Sequence, residues 1–569
     1  MEKWVVSAKK ADFQKIAATF GIDQVTARII RNRDVVGDDA IQMYLNGNRQ
    51  HLLSPWLMKD MDKTVRILEE KIRARKMIRI IGDYDIDGVM STYILLTGLR
   101  QLGAKTDHVI PNRIIDGYGL NEHLIEQAWE DKIDTIVTCD NGIAAASQIQ
   151  KAKEYGMTVL VTDHHEVPFE ETENGRKEVL PPADAIVNPK QADCAYSFKG
   201  LCGAVVALKV MEALYQQMQS PIDFVDQMME FAAIATIGDV MDLVLENRII
   251  VKEGLRKLHH TKNLGLQELI RANQLEPEAI SPYHIGFIIG PCLNATGRLD
   301  TAKRALKLLC AQDREEAAML AGDLKNLNES RKEMTAKGVE QAIELVENTS
   351  LKNDKVLVVY LPECHESLAG IIAGRIRERY HKPAFVLTKT LEGVKGSGRS
   401  IESYSMFEKL CECKEYLTKF GGHPMAAGIS LKEEDVDAFR EKLNLLSQLT
   451  EADFVEKIII DVPMPISYIN KNLIREMKVL EPFGKGNEKP IFAQKGLKVM
   501  GCRVFGKNRN VVKMRVADSY GYTMDAVYFG EGDTFVQDVQ GREVSILYYP
   551  EINSYMGRET LQVVIKSYQ

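Results

Sequence analysis

From residue 77 onward, short apolar segments alternate with longer amphipathic segments. The apolar segments predict strands at 77–82, 107–111, 135–139 and 158–161, and helical patterns lie between them at 89–102, 120–131 and 143–155. A chain that alternates strand and helix in this way forms a parallel sheet with helices on both faces. We therefore predict an α/β domain over residues 71–310.

The remainder of the chain divides into four parts. Residues 1–70 have amphipathic helical patterns, and a long connecting helix is predicted over 311–350, because no proline occurs between Cys292 and Leu361. The apolar strand at 356–361 begins a second α/β unit over 351–450. Residues 451–569 contain strand patterns at 509–516, 523–529, 544–549 and 561–565, separated by turn residues, and predict a small β-barrel.

The composition is ordinary for a soluble globular protein, with 45% apolar and 27% charged residues among 569. No apolar run is long enough to cross a bilayer, and the start MEKWVVSAKK lacks the apolar core of a signal peptide, so we expect a cytoplasmic protein. The nine cysteines include no C-x-x-C pair, which argues against a zinc ribbon or a disulfide framework. A net charge of −7 argues weakly against nucleic-acid binding, which needs only a local basic patch.

Three aspartates directly follow the first predicted strand, at Asp83, Asp85 and Asp87. Carboxylates this close repel one another without a cation, and oxygen ligands suit magnesium or manganese. An EF-hand loop begins with the same pattern, but its twelfth position requires a glutamate and is Ile94 here. A solvated acidic turn is the alternative for this segment taken alone.

Further acidic residues follow other elements of the same domain. Asp140 and the triplet Asp163-His164-His165 each follow a predicted strand, and Asp239 follows a helical pattern. Sites in open α/β sheets form beyond the carboxyl ends of the strands, so these side chains are expected to converge. The other adjacent histidine pair, at 259–260, has no acid nearby and is interpreted as surface.

The number of candidate ligands exceeds what one hydrated ion requires. The candidates are Asp83, Asp85, Asp140, His164 and Asp239. Two ions that share a carboxylate fit this set better, and such pairs serve displacement at phosphorus. The sequence therefore predicts two Mn²⁺ or Mg²⁺ ions.

Seven motifs in order resemble those of the DHH phosphoesterase superfamily, in the form found in its single-strand-specific exonucleases. The motifs are Asp-Tyr-Asp-Ile-Asp-Gly from 83, Cys-Asp-Asn-Gly from 139, Asp-His-His from 163, Gly-Asp-Val-Met-Asp from 238, the segment 290–299, the pair of segments 395–400 and 421–428, and the segment 481–490. The resemblance implies a DHH catalytic domain, a DHHA1-type substrate-binding domain and a C-terminal OB-fold-like domain.

The resemblance also implies roles for the residues of the acidic cluster. Asp140 would bridge the two ions and His165 would face the scissile phosphate. Asp163 would orient His164 through the second ring nitrogen of that histidine, as is usual for a group behind a metal ligand. Whether Asp87 binds metal directly stays open at this point.

A second set of residues resembles the DNA-binding positions of the family. Arg113 and Tyr118 match the segment that guides the strand end, and Ser397, Gly398 and Arg399 match the site of the 5′-phosphate. Arg298 and His423 complete the set. Each has an ordinary alternative: 395–400 and 421–424 as tight turns, Arg298 at a helix start, and His423 as a buried histidine.

Basic residues also cluster in the C-terminal region. Residues 503–517 contain Arg503, Lys507, Arg509, Lys513 and Arg515 and no acid, and Tyr520, Tyr522, Tyr528 and Phe529 follow. Mixed basic and aromatic residues are typical of a surface that binds single strands, and a solvated strand face is the alternative.

Together these features predict a 5′→3′ exonuclease that releases 5′-mononucleotides from single-stranded DNA in repair and recombination. The resemblance implies a single-strand-binding protein and a RecQ-type helicase as partners. A small-substrate phosphodiesterase, acting on cyclic dinucleotides or nanoRNA, is one alternative. A non-catalytic scaffold of a replication complex is the other.

Overall fold

The computed structural model describes residues 2–112, 119–173, 175–299, 301–555 and 557–569. The N-terminal part contains β1 (Glu2–Val6), α1 (Phe13–Phe20), α2 (Gln24–Asn32) and α3 (Asp38–Asn46). Residues 2–6 form a strand, in a region where the sequence predicted mostly amphipathic helices. In the described part of the chain, no helix has the length and apolar character needed to cross a membrane.

The first α/β unit has a five-stranded sheet with the order β3-β2-β4-β5-β8, in which every neighbouring pair is parallel. Its elements are α4 (Met61–Arg73), β2 (Met77–Ile81), α5 (Ile86–Gln101), β3 (Lys105–Val109), α6 (Glu122–Glu130), β4 (Thr135–Cys139), α7 (Ala146–Glu154), β5 (Thr158–Thr162), the hairpin β6 (Phe169–Thr172) and β7 (Gly175–Glu178), and β8 (Ala185–Val187). The helices α6 and α7 pack on one face and α4 and α5 on the other. The predicted two-sided parallel sheet is confirmed.

A helical region follows and completes the core on the α5 face. It contains α8 (Gly203–Gln217), α9 (Asp223–Gly238), α10 (Leu245–Leu258), α11 (Leu264–Ala272), α12 (Pro282–His284), a π-helical turn (Ile285–Ile289), α13 (Gly290–Leu299), α14 (Lys303–Cys310) and α15 (Arg314–Asn348). The 35-residue helix α15 is the predicted connecting helix, and its side chains pack first on this core and then on the second α/β unit.

The second α/β unit has a mixed sheet of order β12-β13-β11-β10-β9, in which only β9 and β10 are parallel. Its elements are β9 (Leu357–Tyr360), α16 (Ala369–Tyr380), β10 (Ala384–Thr390), β11 (Gly393–Arg399), α17 (Met406–Cys411), β12 (Leu417–His423), β13 (Ala426–Leu431) and α18 (Val436–Leu445).

The C-terminal unit is a β-sheet that closes on itself. Its elements are β14 (Glu456–Ile460), β15 (Val462–Pro463), α19 (Lys471–Glu476), β16 (Phe492–Phe505), β17 (Val511–Ala517), β18 (Thr523–Phe529), α20 (Gly532–Val539), β19 (Glu543–Tyr555) and β20 (Arg558–Tyr568). The sheet order is β15-β16-β17-β18-β20-β19, and β19, the last strand in this order, also pairs with β16, which lies next to β15 at the other end. This closed arrangement agrees with the predicted OB-like unit.

The N-terminal part packs on this C-terminal unit. Strand β1 pairs in parallel with β14, and Ile29 and Ile30 of α2 share a core with Phe492 of β16. A buried ion pair of 2.7 Å joins Arg33 to Asp461. The first and last segments of the chain therefore form one packed body, which local sequence patterns did not indicate.

Candidate active site

The acidic cluster forms at the carboxyl edge of the parallel sheet, because β2, β4 and β5 each run directly into it. Asp83 and Asp85 follow β2, and Asp83 is buried. The carboxylate of Asp85 caps α5 by accepting the backbone N–H groups of Asp87 and Gly88, at 2.9 and 3.0 Å. An aspartate at this position stabilises the first turn of a helix, so the local fold fixes the side chain that the chemistry needs.

Asp87 ties the cluster to α8. Its two oxygens accept the backbone N–H groups of Gly203 and Ala204, at 2.6 and 2.8 Å, and the side chain is fully buried. A Cβ built on Gly203 would lie 2.8 Å from Cβ of Asp140, so only a glycine allows α8 to begin this close to β4. Asp140 itself has a left-handed backbone, with φ of 59°, at the end of β4.

His164 lies at the centre of the cluster. Its Nε2 atom is 3.0 Å from Oδ1 of Asp140, 3.5 Å from Oδ2 of Asp87 and 3.8 Å from Oδ2 of Asp239. Burial lowers the pKa of His164, which keeps the ring neutral and its Nε2 lone pair available to a cation. Residues from β4, β5 and the end of α9 thus meet around one ring nitrogen, as the sequence predicted.

Asp163 holds His165 rather than His164, which corrects the expectation for this carboxylate. Its Oδ1 atom lies 2.7 Å from Nδ1 of His165, and its Oδ2 atom accepts the N–H of Ile143 at 2.9 Å. Nδ1 of His164 is buried and has no hydrogen-bond partner among the described residues. The reason is geometric, because the ring of His165 folds back over the Asp163 carboxylate while that of His164 points into the cluster.

The Asp163–His165 pair carries opposite charges. Burial by itself would raise the pKa of Asp163, but the hydrogen bond and the charge of His165 outweigh it and lower that pKa. For His165, burial acts to lower the pKa, and the hydrogen bond to Asp163 raises it to about 9. The partly exposed imidazolium of His165 is therefore the cation that the cluster itself supplies.

The other carboxylates repel one another. Burial and the neighbouring charges of Asp87 and Asp85 raise the pKa of Asp239 to about 8, and burial with the charge of Asp87 raises that of Asp85. The pKa of Asp140 is raised strongly by burial and by the charges around it. A bound cation would reverse these shifts, since it favours ionised ligands.

Among the described residues, three sets of donor atoms lie close enough to hold a metal ion. They are Asp83, Asp85 and Asp140; Asp87, His164 and Asp239; and Asp140, His164 and His165. Carboxylate oxygens with one imidazole suit Mn²⁺ or Mg²⁺. Asp140 belongs to two of the sets, and all five predicted metal ligands belong to at least one, so the residues fit the predicted ions.

A cavity of about 140 Å³ opens beside the cluster. Its lining residues are Tyr84, Asp85, Ile86, Gly238, Asn294, Gly297 and Arg298. A Cβ on Gly297 would lie 2.5 Å from the backbone oxygen of Tyr84, so α13 lies directly against the aspartate loop. Nη1 of Arg298 donates to the backbone oxygen of Ser367, at 2.8 Å, and this bond reaches into the second α/β unit.

The predicted 5′-phosphate residues form a second small site on β11. Nη1 of Arg399 donates to the backbone oxygen of Gly398 at 2.7 Å and lies 3.4 Å from Oγ of Ser397. A Cβ built on Gly370, in the first turn of α16, would lie 2.9 Å from Nη2 of Arg399 and 3.0 Å from Oγ of Ser397. The start of α16 therefore faces both side chains, and helix starts attract anions.

His423 lies near this site at the end of β12. It is exposed, so it is not the buried histidine that was one interpretation of the sequence. His423 and Arg399 both stand opposite Ala426, on either side of β13. Arg113 and Tyr118, the remaining DNA-binding candidates, lie outside the described residues.

Family models match three consecutive parts of the chain. The model of the DHH family, N-terminal domain, matches residues 77–236, the model of the DHHA1 domain matches 353–448, and the model of the RecJ OB domain matches 460–567. Each matched segment coincides with one of the three sheet units of the fold.

Relatives match over most of this chain. The chain is 36% identical to the single-stranded-DNA-specific exonuclease RecJ of Bacillus subtilis, across 99% of this chain and 70% of the relative. The chain belongs to the RecJ family. The Escherichia coli RecJ is 31% identical across 90% of both chains.

Solved RecJ structures from Thermus thermophilus superpose on the whole chain. The complex with Mn²⁺ has a TM-score of 0.85 at 27% identity and covers all of this chain and 79% of the other. The complex with Mg²⁺ has a TM-score of 0.78 at 26% identity and covers all of this chain and 78% of the other. The overall arrangement of the domains is thus the one found in RecJ.

Fewer basic and aromatic residues of the RecJ OB domain are available to bind DNA than the sequence predicted. Arg509 forms two hydrogen bonds of 2.6 and 2.5 Å with Asp533, and Arg515 forms an ion pair of 3.0 Å with Asp525. Tyr528 packs between Phe535 and Tyr568 rather than facing outward. Asp533 in α20 and Asp525 in β18 therefore pair with two of the basic residues that had no acid near them in the sequence.

The exposed aromatic residues of this domain remain available for contacts. Tyr520 is 95% exposed and Phe529 is 60% exposed. The ammonium group of Lys513 lies 5.9 Å from the ring centroid of Phe505. A reduced stacking surface with local positive charge therefore remains on β17 and its neighbours.

Proposed function

We propose that this protein is a metal-dependent 5′→3′ exonuclease that releases 5′-mononucleotides from single-stranded DNA. The observation that carries the proposal is the meeting of Asp140 and His164, 3.0 Å apart, within a group of buried carboxylates at the sheet edge. Over more than nine-tenths of its length the chain is similar to proteins named single-stranded-DNA-specific exonuclease, which supports this substrate and reaction class.

The acidic cluster is proposed to hold two Mn²⁺ or Mg²⁺ ions. Asp83, Asp85 and Asp140 would form one set of ligands. His164 and Asp239 would belong to the other set, with Asp140 shared and Asp87 contributing through the oxygen nearest His164. Divalent cations at these ligands would activate water and stabilise charge on the phosphate oxygens.

His165 is proposed to hold the scissile phosphate. Asp163 fixes the ring through Nδ1, and against burial this hydrogen bond raises the pKa of His165 to about 9, while the side chain stays partly exposed beside the cluster. A positioned imidazolium pairs well with a phosphate oxygen and can deliver a proton to the leaving oxygen.

The polarity of cleavage is proposed to follow from the site around β11. Ser397, Gly398 and Arg399, with the start of α16, would bind the terminal 5′-phosphate, and Arg298 would connect this site to the metal cluster. Arg113, Tyr118 and His423 are proposed as further strand contacts on the strength of the motif resemblance. A strand anchored by its 5′ end would present its first phosphodiester to the metal cluster.

Each of the two alternative functions leaves a feature of the structure unexplained. A small-substrate phosphodiesterase would have no use for the closed C-terminal sheet with its exposed Phe529 and Tyr520. A non-catalytic scaffold would have no need to keep five carboxylates in sets whose donor atoms could hold a metal ion. Both observations favour the exonuclease.

Partners and location follow the same proposal. A single-strand-binding protein would present the substrate, and a RecQ-type helicase would generate it by unwinding duplex DNA. Both would act with the enzyme in DNA repair and recombination in the cytoplasm. The proposals for partners and location rest on the family resemblance.

The deciding experiment compares three substrates with purified protein and Mn²⁺. A 3′-labelled single strand of about 30 nucleotides should shorten from its 5′ end, the matching blunt duplex should resist, and a dinucleotide should be a poor substrate. Asp140→Ala serves as the inactive control. Preference for the dinucleotide would support the small-substrate enzyme, and intact single strands with every metal would support the scaffold.

A further inference from the structure

Two exposed aromatic rings stack on each other near the start of α13. Tyr283 is 62% exposed and Phe287 is 61% exposed, with ring centroids 5.0 Å apart at 30°. The ring of His284 meets that of Tyr283 edge-on, at 5.7 Å. A single exposed aromatic residue is ordinary, but a preformed exposed stack is a surface to which another flat ring can add.

The backbone that carries the pair is unusual. Helix α12 continues without a break into the π-helical turn Ile285–Ile289 and then into α13. Ile285 and Ile289 are fully buried, whereas Phe287, midway between them, faces outward. Single π turns are rare and are often found at functional sites.

This turn packs against two elements that carry candidate metal ligands. A Cβ on Gly286 would lie 3.8 Å from Cγ2 of Ile237, two residues before Asp239. A Cβ on Gly290 would lie 3.3 Å from Cδ1 of Ile86, next to Asp85. The helical segment that carries the aromatic pair therefore packs against the residues beside Asp239 and Asp85.

The same helix face reaches the cavity beside the cluster. Asn294 and Arg298 follow Phe287 by seven and eleven residues, spacings that return to nearly one face of a helix, and both line that cavity. At 1.5 Å per residue, Asn294 lies about 10 Å along the axis from Phe287. One helix face thus runs from the aromatic pair past the aspartates to Arg298, which contacts the unit that contains Ser397 and Arg399.

We propose that Tyr283 and Phe287 form a base-stacking platform for the uncut strand, on the 3′ side of the scissile phosphate. This inference rests on the proposed function, because the 5′ end is assigned to the Arg298 end of this helix face. The aromatic pair at the opposite end then meets nucleotides that have yet to be cleaved. Aromatic rings bind bases of any sequence, as an exonuclease that degrades arbitrary strands requires.

The platform accounts for a preference for strands over very short substrates. A dinucleotide would fill the cluster and the 5′-phosphate site without reaching the rings, which lie about 10 Å along the helix axis from Asn294 in the cavity lining. A longer strand would gain the stacking contact, and this gain would hold it between successive cleavages. Loss of the two rings should therefore weaken the binding of long strands and leave the binding of short ones unchanged.

The test uses the full chain with both rings removed, Tyr283→Ala with Phe287→Ala. With Mn²⁺, kcat/KM for a 5′-phosphorylated 20-mer should fall about tenfold or more, mainly through KM, while kcat/KM for a 5′-phosphorylated dinucleotide stays within twofold. The single variant Phe287→Tyr, which keeps both rings, should retain most of the activity on the 20-mer. An equal loss on both substrates, or no loss on the 20-mer, would overturn the proposal.

The control is Trp129→Ala. Trp129 is 54% exposed and also forms a stack, with Tyr155 at 5.1 Å, but it lies at the ends of α6 and α7 away from the carboxyl edge of the sheet. This variant should cleave both substrates normally, and a loss equal to that of the double variant would also overturn the proposal.

A binding measurement separates this inference from the proposed function. Fluorescence anisotropy with a labelled 20-mer and Ca²⁺ should give an affinity about tenfold weaker for the double variant than for the unaltered protein. Should the unaltered protein bind strands but never cleave them, the nuclease proposal fails while this comparison still tests the platform. Equal affinities would refute the platform whether or not cleavage occurs.

Discussion

Asp87 connects the fold of the site to its charge, and its replacement tests both. Its oxygens accept N–H groups from Gly203 and Ala204 in the buried first turn of α8. Asp87→Ala leaves both groups without these acceptors. A hydrogen bond to a charged group contributes about 1.5–3 kcal/mol, so the two together contribute about 3–6 kcal/mol.

Charge repulsion offsets part of that cost when no cation is present. The charge of Asp87 raises the pKa values of Asp85, Asp140 and Asp239, so its removal relieves strain among them. When a chelator keeps metal away, we therefore expect Asp87→Ala to lower the local stability of the first turn of α8 by about 3 kcal/mol, the lower end of that range. Asp87→Asn keeps one acceptor oxygen, so its loss of local stability should be about half of that in Asp87→Ala.

Hydrogen exchange is the suitable assay, because a chain of several domains does not unfold in two states. A loss of about 3 kcal/mol corresponds to exchange faster by about a hundredfold at the amides of Gly203 and Ala204. Asp223→Ala, which removes an exposed acid from the first turn of α9, should leave those amides unchanged. Unchanged protection at both amides in Asp87→Ala would refute the anchoring role.

Three further predictions concern the ions, the strand end and stability. Asp140→Ala should lower kcat by a factor of at least about a thousand, because a shared ligand is lost, with single-strand affinity retained or increased; lost affinity with normal turnover would contradict the metal role. Arg399→Ala should abolish the preference for 5′-phosphorylated over 5′-hydroxyl strands in competition assays, and an intact preference would remove Arg399 from the phosphate site. Burial raises the pKa of Glu230 to about 7, against the hydrogen bond from Thr261, so the folded state binds this proton more tightly and loses stability as pH rises from about 4.5 through 7. Glu230→Gln should therefore stabilise the folded state by up to about 3 kcal/mol at pH 8 but not at pH 4.5. The melting temperature should accordingly rise only at pH 8, and equal shifts at both pH values would contradict that assignment.

The sequence predicted those features that follow from local patterns. The strands β2, β4 and β5 are apolar runs that end in aspartates, and parallel strands bring their carboxyl ends to one edge. The helix α15 was evident from a stretch without proline. For these elements, short-range periodicity determines both the structure and the position of the ligands.

Other features depend on contacts between distant residues. The pairing of β1 with β14 joins residues about 450 positions apart, and no local pattern in residues 2–6 identifies that partner. Arg515 forms an ion pair with Asp525, which the sequence did not indicate, because strand register places Asp525 opposite it. Strand register and long-range packing depend on contacts between residues far apart in the sequence, so local patterns do not predict them.

The orientation of side chains was the hardest part of the site to predict. The sequence analysis expected Asp163 to hold the ring of His164, whereas in the structure its carboxylate holds the ring of His165. The anchoring of α8 by Asp87 likewise requires knowing where Gly203 lies. A chemical role for a motif could be read from the sequence, but the partner of each atom could not.

The central claim is that Asp140 stands between two divalent ions, and anomalous diffraction from crystals grown with Mn²⁺ tests it directly. The account predicts two anomalous peaks, one beside Asp83 and Asp85 and one beside His164 and Asp239, each within ligand distance of the Asp140 carboxylate. A single peak away from Asp140, or an absence of peaks with these carboxylates turned toward solvent, would contradict it.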